Sequence, residues 1–203
     1  VLLTALATGA LVLLALNFTA GEKKVQQQLP RLYSTASPDF ERALGSLLGP
    51  GIVGGNAVTE LLNGDQIFPP MLAAIQGAKK SITFETYIYW SGDIGKQFAD
   101  ALSERARAGV RVHVLLDWVG SANMDESYLT EMKEAGVQIE KFHKPHWYNL
   151  ARLNNRTHRK LLVVDGQAGF TGGVGIAPHW MGHAQDPDQW RDSDYLWLLY
   201  PTD

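Results

Sequence analysis

From Ala57 onward, stretches in which apolar and polar residues alternate at every second position are interleaved with stretches in which apolar residues return every third or fourth. That rhythm predicts an α/β layered fold. Val58 to Leu62 reads as a short strand ending at the Asn63-Gly64 turn pair. A helix then carries Phe68, Leu72 and Ile75 on one face, with Pro69 and Pro70 in its first turn. Ser81 to Tyr89 reads as a strand, with Ile82, Phe84, Thr86 and Ile88 on one face and Thr83, Glu85, Tyr87 and Tyr89 on the other. A helix bearing Ile94, Phe98 and Leu102 stops at Gly109. Val110 to Asp117, Val137 to Phe142, Arg159 to Asp165, Ala168 to Thr171 and Tyr195 to Tyr200 read as strands, and Asp125 to Ala135 as a helix. The expected architecture is a mixed, mostly parallel sheet flanked by helices.

The first 55 residues obey neither period. Val1 to Gly21 carries no charge and is dominated by leucine. Roughly 20 such residues at a rise of about 1.5 Å each span a bilayer's hydrocarbon layer. The stretch therefore predicts a transmembrane anchor over residues 1–21, in preference to a cleaved signal peptide, because Phe18 spoils the small-residue pattern that a cleavage site at Ala20 needs. Residues 22–55 are polar, then rich in Gly and Pro, and read as a linker with a short amphipathic piece around Phe40 to Leu48. The opening residue is Val1 rather than Met, so the natural polypeptide is expected to start upstream.

Charge narrows the candidate partners. The 203 residues carry a formal net charge of -3, with 18 basic and 21 acidic side chains. That balance lacks the cationic excess with which proteins hold polyanions, so nucleic acid is disfavoured as a partner. Cysteine is absent, which removes disulfides and thiolate metal sites.

One stretch carries chemistry. Asn155-Arg-Thr-His-Arg-Lys-Leu-Leu-Val-Val-Asp-Gly166 contains the spacing His-x-Lys-x4-Asp at His158, Lys160 and Asp165, followed by the glycine pair Gly172-Gly173. Alternation along a strand puts His158 and Lys160 on one side and Asp165 on the other. An imidazole beside a fixed ammonium suits attack on a phosphodiester: the ring forms a covalent phospho-enzyme while the cation holds the non-bridging oxygens. Asp165, facing away, is better placed to cap the turn at Gly166 or anchor its strand than to react. The backbone amides near Gly172 and Gly173 are candidate anion ligands.

Over about residues 56 to 203, the sequence resembles the phospholipase D superfamily, whose HKD motif matches His158, Lys160 and Asp165, and within it the cardiolipin synthase-like branch. The likeness runs through Ile82-Thr-Phe-Glu-Thr-Tyr-Ile-Tyr-Trp90, Gly109 to Asp117, the HKD segment and Trp190-Arg-Asp192. The resemblance implies that His158 is nucleophile or general acid, that Lys160 binds phosphate, that Asp192 orients the imidazole, and that no metal or other cofactor takes part. Glu85 and Asn155, with Gly172 and Gly173, are the candidate substrate-binding residues. Two features depart from the pattern. The family's loop places Asn where this chain has Gly175, and the family's active site needs two HKD motifs where this chain has one. The second is expected either beyond Asp203, making residues 56–203 the first HKD half of a longer chain, or on a second copy, with the first arrangement preferred.

Other residues carry weaker readings. Asp117 ends a strand, where it lines a cleft or caps the next turn. His143, His146, His179 and His183 fit no compact metal-ligand spacing. Trp147, Tyr148, Trp180, Met181 and Trp190 are candidates for a lipid groove or for core. The leading expectation is a membrane-anchored bacterial phosphatidyltransferase that makes cardiolipin from phosphatidylglycerol through a phospho-histidine. The alternatives are a membrane-tethered homodimeric phosphodiesterase or nuclease, and a catalytically silent membrane-bound interaction domain.

Overall fold

Strands with one apolar face need a covering layer, and the helices that follow them supply it. The computed structural model describes residues 1–19, 33–49, 54–144 and 156–199. Its elements run α1 (Leu2–Thr19), α2 (Pro38–Leu48), β1 (Asn56–Leu62), α3 (Asn63–Gly77), β2 (Ser81–Thr86), α4 (Asp93–Arg107), β3 (Arg111–Asp117), α5 (Glu126–Glu134), β4 (Gln138–Phe142), β5 (Leu161–Val164), β6 (Ala168–Gly172) and β7 (Ser193–Leu199), with a 3₁₀ turn at Pro178–Trp180. The strands form one seven-stranded sheet in the order β1-β7-β6-β5-β2-β3-β4.

The core lies between this sheet and the layer of α3, α4 and α5. Ile82, Phe84, Val112, Val114, Leu116, Leu162, Val164 and Phe170 point into it from the strands, and Ile67, Met71, Ile75, Phe98, Leu102 and Met132 from the helices. Phe98 stacks on Phe84 with ring centroids 5.8 Å apart and meets Phe68 edge-on at 6.0 Å. On the opposite face, Val58, Trp197, Gly169, Val163 and Thr83 are cross-strand neighbours in one row, and Trp197 and Val58 are 45% and 49% exposed. The mixed α/β expectation holds on the helix-covered face.

The expectation of a mostly parallel sheet does not hold. Only β2 with β3 and β3 with β4 run parallel; β2 with β5, β5 with β6, β6 with β7 and β7 with β1 are antiparallel. Parallel neighbours need a long crossover, which α4 and α5 provide, whereas β5 and β6 are joined through Asp165–Gln167 alone and must turn back. The prolines are also placed differently. The helix begins at Asn63, so Pro69 and Pro70 lie inside it rather than in its first turn. Its start is held by the loop after the 3₁₀ turn and by the lead-in to β7: Asp65 N–H donates to Gly182 O at 2.9 Å and Asn63 N–H to Asp192 O at 2.9 Å.

The amino-terminal expectation of a spanning anchor is not supported by the described residues. Helix α1 has 18 residues, or about 27 Å at 1.5 Å per residue, against a hydrocarbon layer of about 30 Å. Among the described residues no helix is long and apolar enough to cross a membrane, so the spanning anchor finds no support in the fold. The amphipathic piece is α2, capped by Ser37, whose hydroxyl accepts from Asp39 N–H at 3.2 Å, and ended by Gly49 at φ 87°. The expected strand residue Tyr200 lies outside the described residues, as do Asn155, His146, Trp147 and Tyr148.

Candidate active site

His158 and Lys160 lie just before β5. The parity argument succeeds here: Lys160 Nζ sits 3.2 Å from His158 Nδ1 and 3.5 Å from Nε2, and also donates to His158 O at 3.1 Å. His158 is exposed and Lys160 half-buried. Beneath both lies Tyr87, whose ring centroid is 5.0 Å from that of His158 and 5.7 Å from Lys160 Nζ. A cation over a tyrosine face gains about 0.5–1 kcal/mol at an exposed site, so Tyr87 holds the ammonium in place without neutralising it. Sequence reasoning placed Tyr87 in a strand running to Tyr89 and assigned it no role, but the strand stops at Thr86 and Tyr89 turns into the core against Phe84. The available signal for Tyr87 was its expected face, shared with Glu85 on a strand close to the motif.

Burial lowers the Lys160 pKa from its ordinary value, while the charges of Asp192 and Asp194 act in the opposite direction. These two carboxylates come from the start of β7 and sit against the glycine pair. A β-carbon on Gly172 would collide with the Asp194 carboxylate, and one on Gly173 with that of Asp192, so the glycines are where two acidic side chains approach the backbone too closely for any side chain. Asp194 is buried, and its Oδ1 accepts from Val174 N–H at 3.3 Å. Burial is the main cause that pushes its carboxyl up to about 6; the Val174 and Gly173 amides pull it down, and the Asp192 charge pushes it further up. An anion of the chain itself thus already engages the amides beside Gly172 and Gly173.

Asp192 makes different bonds from those the resemblance implies. Its Oδ2 accepts from Trp180 Nε1 at 3.1 Å and its Oδ1 from Ser193 N–H at 2.9 Å. The Gly175 departure has a steric counterpart: a β-carbon there would lie 2.8 Å from the Trp180 ring and 2.9 Å from the Ile88 β-carbon. Trp180, buried, packs edge-on against Trp190 at 4.6 Å, and Trp190 in turn lies 5.0 Å from the His179 ring.

The remaining expected residues divide. Asp165 is at the far end of β5, in a left-handed conformation at φ 55°. Its carboxylate accepts from the N–H groups of Lys79 (2.8 Å), Lys80 (2.7 Å) and Ser81 (2.9 Å). Burial opposes its ionisation, yet these three amides and the Lys80 charge hold its carboxyl below the ordinary carboxylate range. It anchors the α3–β2 connection, as its parity suggested, and does not join His158 and Lys160. Glu85 is far from His158 in sequence and is brought beside it by the fold: its Oε1 accepts from Thr157 Oγ1 and, at 3.1 Å, from Arg159 Nε. Hollows of about 460 Å³ between α3 and α4 and about 500 Å³ beside α5 and β4 lie elsewhere. Among the described residues no group of His, Asp and Glu is arranged to hold a metal ion.

The fold and the HKD geometry together define a phospholipase D-like α/β domain. By fold it is similar to Nuc, a phospholipase D family member from Salmonella typhimurium, with TM-score 0.51 and 17% identity over 71% of this chain and 84% of that one. It is likewise similar to the phosphatidylserine synthase of Haemophilus influenzae, with TM-score 0.53 and 15% identity over 68% of this chain and 32% of that one. Residues 71–185 match the family model described as cardiolipin synthase, PLD-like domain, and the chain belongs to that family. It is 41% identical over 148 residues to cardiolipin synthase 1 of Bacillus cereus, and 37% identical over 140 residues to the major cardiolipin synthase of Bacillus subtilis. The shared stretch is 71% and 68% of this chain but 29% of each relative, so the chain matches about three tenths of their length.

Proposed function

We propose that this chain is the first HKD half of a phosphatidyltransferase that acts on phospholipid phosphodiesters, with cardiolipin made from phosphatidylglycerol as the favoured reaction. The observation that carries the reading is the Lys160 ammonium 3.2 Å from the His158 imidazole on an exposed strand end. Membership in the cardiolipin synthase, PLD-like family and the names of the relatives support the substrate class.

In this reading a ring nitrogen of His158 attacks phosphorus and forms an N–P bond as the P–O bond to the leaving glycerol breaks. Lys160 binds the non-bridging oxygens as their charge develops. The leaving alkoxide takes its proton from a second imidazole, supplied by a further HKD half or a second copy. That same imidazole then deprotonates the acceptor hydroxyl, whose oxygen displaces His158 from phosphorus. The protein works at a membrane surface in this proposal because both substrates are lipids.

The test is a full-length protein incubated with phosphatidylglycerol carrying ³²P, quenched and assayed for acid-labile, base-stable label. Labelled protein from the parent and none from His158→Ala is the expected pair of results, with turnover falling by at least about 10³-fold. Retained label or turnover in His158→Ala removes this residue from the chemistry.

A further inference from the structure

The loop side of His158 is fixed by groups that the motif does not contain. Thr157, 4% exposed, is bonded at both of its polar ends: its N–H donates to Asp117 Oδ2 at 3.0 Å, and its hydroxyl donates to Glu85 Oε1. Asp117, 1% exposed, is itself immobilised, because its Oδ1 accepts from the N–H groups of Val119 (2.9 Å) and Gly120 (3.0 Å), and Ser121 donates to its carbonyl. Glu85, 7% exposed, reaches past Thr157 to Arg159 as well, so one carboxylate holds the residues on both sides of His158.

We infer that Asp117 and Glu85 are positioning residues for His158: through Thr157 they clamp the segment before β5 so that the imidazole stays over Tyr87 and beside Lys160. The two acids come from neighbouring parallel strands, β2 and β3, whose ends meet at this point. Carboxylates this deeply buried are costly to desolvate, and two of them bonded to the residue before His158 are a direct way to fix its side chain. A ring nitrogen displaced by about 1 Å loses on the order of 10²-fold in rate, which is the scale of effect such a clamp controls.

This inference rests on the reading of His158 as the nucleophile, so its test needs a readout independent of turnover. Thr157→Val is nearly isosteric and removes the bond to Glu85 alone. Asp117→Asn removes the charge facing the Thr157 amide, and Thr157→Ser restores the hydroxyl. In full-length protein, steady-state kinetics on phosphatidylglycerol vesicles would show kcat lowered about 10- to 100-fold in the first two variants, with KM within twofold and Thr157→Ser recovering most of the rate.

In parallel, NMR of isotope-labelled histidine follows the His158 ring signals, assigned through His158→Ala. The Tyr87 ring shifts them in the parent, and that shift collapses in Thr157→Val and Asp117→Asn but survives in Thr157→Ser. A His158 signal unmoved in both variants overturns the clamp whatever the kinetics do, and so does a change confined to KM. A parent without turnover sinks the catalytic reading instead, while the ring shift still decides whether the clamp exists.

Discussion

At the scale of single residues, the site is a contest between an ammonium and the acids behind it. Lys160 is the group most exposed to that contest, since Asp192 and Asp194 bear on its charge. Replacing it with Met keeps the aliphatic stem and removes the cation. Turnover of phosphatidylglycerol should then fall by about 10²–10³-fold, mainly in kcat. Asp194 gives a second, pH-dependent expectation. Its carboxyl titrates at about 6 in the folded chain against 3.8 as an ordinary group, so the folded state holds this proton more tightly than the unfolded one. Stability from this group is therefore present at low pH and declines as the pH rises from about 4 through about 6. Thermal melts across that window should show Asp194→Asn flatter with pH than the parent; parallel curves would mean that the carboxyl is not buried as described.

Elements were the most legible level in the sequence, and the reasons are local. The helix carrying Ile94, Phe98 and Leu102 and the strand through Val112 lie where the periodicity put them, whereas the strand through Ile82 stops at Thr86, short of the expected Tyr89. Pairing was less legible because hydrogen bonds between strands are not written in either strand alone. The tight β5–β6 connection did carry a signal for antiparallel pairing, since three residues cannot make a crossover. The join of β1 to β7 carried none.

The same divide separates His158 and Lys160, adjacent on one strand end, from the Asp117 to Thr157 bond, which links positions 40 residues apart. Asp165 shows what an element-scale role predicts. Its three amide bonds fasten the turn into β2, so Asp165→Asn should lower stability by about 1–3 kcal/mol, or roughly 2–10 °C in Tm for a protein of this size. Turnover should fall only in step with folded protein. Because its folded pKa is depressed, this stabilisation is present above about pH 4 and is lost as the pH falls further. A Tm unchanged by the substitution would contradict the anchoring role.

On the scale of the whole molecule, the described residues supply one HKD imidazole, that of His158, where the proposed cycle needs two. The chain by itself is therefore expected to give no sustained turnover at concentrations where it sedimentes as a monomer. Rate measured against protein concentration separates the possibilities: activity rising with the square of concentration identifies a second copy as donor of the other imidazole, and recovery only with a longer chain identifies a further HKD half. Steady turnover from a monomer would require the missing proton donor to come from within these 203 residues.

Position 175 and the indole of Trp180 occupy one volume between them. Installing the family's asparagine there in isolation should injure the protein rather than improve it, whereas pairing the change with a slimmer residue at 180 should be tolerated. The two sites are expected to vary in concert among close relatives, a correlation that sequencing alone can reveal.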